Sequence, residues 1–139
     1  MNRPRRFRLF ALSALFAIRA TAHPAPNSVI NLDFGDSSVH AELLLPTSEL
    51  RYALAAEGIE RSSIAAGEPA ISDYLVRHVA VATPAGRRWH SAVRSGHLQE
   101  FGGHEYLVAA LDFTPPASST TRQFIFRADP VTHRCAITI

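Results

Sequence analysis

The chain has 139 residues, 14 of them basic and 12 acidic, with one cysteine. That length suits a single ordinary domain with one core, and one cysteine excludes an intramolecular disulfide. The formal charge of +2 points to nucleic acid or anionic lipid only if the cations are spread along the chain, and they are not.

Five of the arginines fall within the first 19 residues. Arg3, Arg5, Arg6 and Arg8 precede an apolar run at residues 9–18, and Ala20-Thr21-Ala22 follows. A positive start, a short apolar stretch and an A-x-A site predict a secretory signal peptide over residues 1–22. The apolar run is about half the ~20 residues a membrane-spanning helix needs. Arg8 stands where a twin-arginine signal wants an apolar residue. Position 23 is histidine, so no lipoprotein anchor is expected. Residues 23–139 then form a single extracytoplasmic domain, exported to the periplasm. Its nine arginines against 12 acids give a net charge of −3, and the reason to expect a nucleic-acid partner disappears. All 14 basic residues are arginine, which fits a GC-rich bacterial genome.

Pro24 and Pro26 make an extended lead-in. Residues 28–34 alternate, with Ile30, Leu32 and Phe34 on one face, and residues 39–45 alternate likewise through Val39, Ala41, Leu43 and Leu45. Gly35-Asp36 between them predicts a hairpin. After Pro46, Thr47 or Ser48 is expected to cap a helix beginning at Glu49, with Leu50, Tyr52, Ala53 and Leu54 available for burial and Gly58 as its stop. Residues 60–67 read as loop. Glu68-Pro69 opens a second helix in which Ile71, Tyr74, Leu75 and His78 follow helical spacing.

Residues 79–83 read as strand, turned by Pro84-Ala85-Gly86. Trp89, Ser91 and Val93 share a face of the next strand. Residues 97–101 and 104–113 predict a hairpin around Gly102-Gly103, with Leu107, Ala109, Leu111 and Phe113 facing the core. A loop at residues 115–121 leads to a last strand at 123–127, which is expected to leave an unpaired edge. The final apolar residues, 135–139, suit either a terminal strand or an interrupted reading frame. Together these predict an α+β fold: a mainly antiparallel, β-sandwich-like domain with two short inserted helices after the signal peptide.

Several segments carry a resemblance. His23-Pro24-Ala25-Pro26-Asn27-Ser28-Val29 directly follows the signal, and residues 39–46 lead to Ser48-Glu49-Leu50. Residues 103–108 precede Asp112-Phe113-Thr114-Pro115-Pro116, and Asp129-Pro130-Val131-Thr132-His133 comes near the end. In this order they resemble the N-terminal extracytoplasmic region of HupE/UreJ-like proteins, a hydrogenase/urease accessory family. The resemblance implies a module that precedes a polytopic, metal-permease-like membrane domain handling nickel or a related metal. The membrane domain and its His/Asp-rich metal motif have no counterpart in this sequence, so fold and location carry over and transport does not. The implied partner is a membrane protein or membrane domain of that family.

The sharpest chemical candidate is His23. Cleavage after Ala22 would put a free α-amine beside its imidazole, a pairing suited to Cu(II) or Ni(II), while Pro24 blocks a square-planar site built on successive deprotonated amides. A free-standing periplasmic Cu- or Ni-binding protein is therefore the alternative to a non-catalytic accessory domain. The other histidines lie at no metal-ligand spacing. His97 and His104 share a sheet face but stand roughly 13 Å apart. If its segment is a turn, His133 forms a hydrogen-bonded pair with Asp129, which would still need a nucleophile. Ser118, Ser119, Thr120 and Thr121 lie in no G-x-S-x-G setting, and no enzyme is expected. Cys135 reads as an incidental thiol.

Overall fold

The computed structural model describes residues 26–60, 64, 67–117, 123–131 and 135–138, the last four as a backbone path. The segment expected to be a signal peptide (residues 1–22), His23, the run at residues 118–121 and His133 lie outside the described residues. Strands β1 (Val29–Phe34) and β2 (Val39–Pro46) precede helices α1 (Thr47–Ala56) and α2 (Pro69–His78). Then come β3 (Val79–Ala82), β4 (His90–Phe101), β5 (His104–Thr114), β6 (Ile125–Ala128) and β7 (Cys135–Thr138). The fold is α+β and mainly antiparallel β, with one open sheet ordered β1-β2-β5-β4 and a second ordered β3-β6-β7.

Period-two burial builds the larger sheet. Val39, Ala41, Leu43 and Leu45 are at most 2% exposed, as are Leu107, Ala109, Leu111 and Phe113 opposite them. The β4–β5 hairpin closes on Gly102 and Gly103, whose φ values of 57° and 79° are those a primed turn demands at both central positions. Phe101 then pairs with His104, and His97 with Val108, the register expected from the sequence. One extra residue at Arg94 forms a bulge between Val93 and Ser95. It lets one strand run through Gly96, where the sequence suggests two.

Aromatic rings join the sheets. Phe113 on β5 meets Phe126 on β6 edge-on at 6.1 Å, and Phe124 touches Trp89 at 5.4 Å and Phe34 at 5.7 Å. Such pairs add about 0.5–1.5 kcal/mol each beyond the area they bury. One core therefore spans both sheets and both helices.

Three expectations are corrected. Helix α1 begins at Thr47, and neither Thr47 nor Ser48 caps it. The Thr47 hydroxyl instead faces β5, near the Glu105 carbonyl and carboxylate at 3.2 and 2.9 Å. Tyr52 is 76% exposed, because the buried stripe runs Thr47, Leu50, Leu54. The strand expected at 123–127 is not an edge: β7 pairs with its free side, Ala128 opposite Cys135.

Candidate functional site

Helix α2 passes into β3 without a linker, so His78 stands where the helix ends and the strand begins. Pro69 opens the helix at its first turn, and Ile71, Tyr74 and Leu75 bury its inner stripe. His78 follows on that stripe, at the rim of the core. Its backbone carbonyl accepts the amide of Asp129 at 2.9 Å, which carries the β3–β6 ladder one step further. Glu57, just past the end of α1, arrives from the other side.

The three side chains form a clamp. His78 Nε2 lies 2.5 Å from Glu57 Oε1, and His78 Nδ1 lies 3.0 Å from Asp129 Oδ1. The imidazole stacks on Tyr74 at 4.2 Å. The Tyr74 hydroxyl donates to the Pro130 carbonyl at 2.9 Å, and burial, with the charges of Glu57 and Asp129, pushes its pKa up to about 12. Arg77 donates to the second oxygen of Glu57 at 2.8 Å. That hydrogen bond, opposed by burial and reinforced by His78, holds the Glu57 carboxyl below the usual glutamate value.

Beside the clamp, a cleft of 410 Å³ opens on the outer face of the three-stranded sheet. Ala80, Ala82 and Ile125 form an apolar floor, and Arg77, Arg88 and Arg127 stand around it with His78 and Asp129. Alternation explains the arrangement: Val79 and Val81 point into the core, which leaves the alanines outward. Arg127 pairs in register with Ala80, and Arg88 bridges to Ala82 from the opposite side.

A second histidine constellation lies on the outer face of the larger sheet. His40 Nδ1 is 2.6 Å from Asp112 Oδ1, its cross-strand neighbour, and Ser38 Oγ is 3.1 Å from His40 Nε2. The connectivity is that of a nucleophile, a base and an orienting acid. The other Asp112 oxygen, however, accepts from Arg94. A shallow 290 Å³ groove beside it is lined by His40 and Asp112, with Ser38 outside that lining. Burial alone would raise the Asp112 carboxyl, but the hydrogen bonds from Arg94 and His40 outweigh it and hold the group below its ordinary value.

The sequence places His78 on its stripe but not its partners, which are 21 and 51 residues away. Asp129 Oδ1 faces His78, and the expected pairing of Asp129 with His133 falls outside the described residues. The one cue to the cleft is the small-residue alternation of residues 79–82 beside basic positions. Among the described residues, no three His, Cys, Asp or Glu side chains are placed to hold one metal ion. The clamp illustrates why: its carboxylates sit at opposite ring nitrogens, which diverge. The described residues therefore do not fit a nickel or copper centre. No helix among them is long and apolar enough to cross a membrane.

Comparison with protein families, curated proteins and solved structures finds no match to this chain.

Proposed function

We propose that this chain is an exported, non-catalytic accessory domain of the periplasm, akin to the extracytoplasmic module of HupE/UreJ-like proteins, with a membrane protein of that kind as partner. The observation that supports the non-catalytic reading is the His78 clamp, which leaves the cleft beside it without a free imidazole base. A general base needs a free ring nitrogen within reach of a substrate proton, and carboxylates face both nitrogens of His78. Two of the segments that carry the resemblance lie on neighbouring strands. Residues 39–46 pair with 106–113, and Thr47, between residues 39–46 and Ser48-Glu49-Leu50, bonds to Glu105.

Expression of the full chain in a Gram-negative host tests the reading. The expected result is a processed periplasmic species whose first residue is His23. Unprocessed protein confined to the cytoplasm overturns it.

The Ser38–His40–Asp112 relay favours a second reading, an ester hydrolase with Ser38 as nucleophile. Activated-ester turnover that is lost in Ser38→Ala would establish it. We expect no difference between that variant and the parent. The Cu- or Ni-binding alternative rests on His23 alone, and calorimetry with either ion on the mature protein and its His23→Ala variant decides it.

A further inference from the structure

We propose that the cleft on the three-stranded sheet binds a small organic monocarboxylate with an apolar body, held at its carboxylate by Arg127 and Arg88. The two arginines flank β3 from opposite sides. Two strand spacings across and two residues along put their Cα atoms on the order of 12 Å apart. Each side chain reaches roughly half that distance, so both guanidinium groups can close on one ligand above the alanines.

The cations differ in availability. Arg77 is committed to Glu57 and lies with its guanidinium carbon 6.0 Å from the Tyr74 ring centroid. Arg88 spends one nitrogen on the Val76 carbonyl at 2.9 Å, which anchors it and leaves donors over. Arg127 is exposed and has no hydrogen-bond or ion-pair partner among the described residues. A guanidinium offers two parallel N–H donors, the geometry a carboxylate accepts.

The floor and the single acid choose among anions. Ala80, Ala82 and Ile125 give methyl and methylene contacts to an apolar body, for which inorganic phosphate has no use. Asp129 stands at the margin, its Oδ1 against His78. It tolerates one ligand charge over the arginines and repels a second near itself. A monocarboxylate with a ring or short chain satisfies all three constraints.

The experiment is an amide-shift titration of the full exported protein with benzoate, acetate and inorganic phosphate at moderate salt. Benzoate is expected to saturate, with shifts clustered on residues 80–82, 88 and 125–127, and to bind at least tenfold tighter than acetate or phosphate. Arg127→Gln should weaken benzoate at least tenfold. Ala82→Leu, which fills the floor, should do the same by a different route. Arg51→Gln, on α1 away from the cleft, should leave it unchanged. Circular dichroism melts confirm that each variant folds. Equal affinity for phosphate, or undiminished benzoate binding in Arg127→Gln, overturns the proposal. Either failure leaves the export reading untouched, because that reading is tested by processing and location.

Discussion

His40 and His78 each share a carboxylate with an arginine, yet they do different structural work. His40, Asp112 and Arg94 decorate one sheet face across three adjacent strands, and the His40 side chain is 48% exposed. The backbone ladder already holds those strands together. His78 links the end of α1, the end of α2 and the end of β6, elements with no common ladder except at Asp129, and its side chain is 22% exposed. A side-chain pair on a paired sheet repeats what the backbone specifies. One between elements adds to the few contacts, such as Arg77–Glu57 and Tyr74–Pro130, that orient them.

The largest break in this comparison comes from below both sites. Phe126 is fully buried on β6 and packs edge-on against Phe113 of the other sheet. Phe126→Ala should cost about 3–5 kcal/mol, because the cavity sits where the two sheets share their core. Urea unfolding followed by fluorescence of Trp89, the single tryptophan, measures it. If the sheets were independent, the variant would lose the three-stranded sheet alone, and circular dichroism would show a separate transition for the larger one.

A middle effect separates the two histidines directly. His78→Ala leaves two carboxylates facing an empty position and removes the ring stacked on Tyr74. It should lower the melting temperature by roughly 5 °C, the scale of about 1 kcal/mol in a domain of this size. His40→Ala should stay within about 0.5 kcal/mol of the parent, as surface changes usually do. Equal losses in thermal melts would show that bridging separate elements adds nothing.

That contrast also marks how far the sequence could be read. Alternation in residues 39–45 and 104–113 exposes the larger sheet's core face, and Gly102-Gly103 sets its register. Both are local patterns. Tyr52 is misread because it satisfies a generic apolar list, whereas the packing surface admits only the narrow stripe through Leu50 and Leu54. The split of β4 at Gly96 is misread because a bulge at Arg94 restores the alternation that a glycine suggests is broken. The clamp is illegible for another reason. Glu57, His78 and Asp129 meet only after both helices have packed and β6 has paired with β3, and no period in the chain records that meeting.

The smallest effect concerns which partner sets the charge. Glu57 and Asp112 both have carboxyls held below their ordinary values. A lowered folded-state pKa means the unfolded chain binds the proton more readily. The stabilisation is therefore present above the ordinary carboxylate values, 4.5 and 3.8, and is lost as pH falls through the lower folded ones. In both groups the arginine hydrogen bond lowers the carboxyl more than the histidine does. Arg77→Gln should therefore raise the Glu57 carboxyl more than His78→Ala does, and Arg94→Gln should raise Asp112 more than His40→Ala does. Carbon-detected titration of the side-chain carboxyls reads each shift. The order matters because it assigns the roles: arginine holds the charge in both places, and the histidine's part is position. Were the His78→Ala shift the larger one, the imidazole would itself be the main cation of the clamp, and its weight in joining α1 to β6 would be electrostatic rather than geometric.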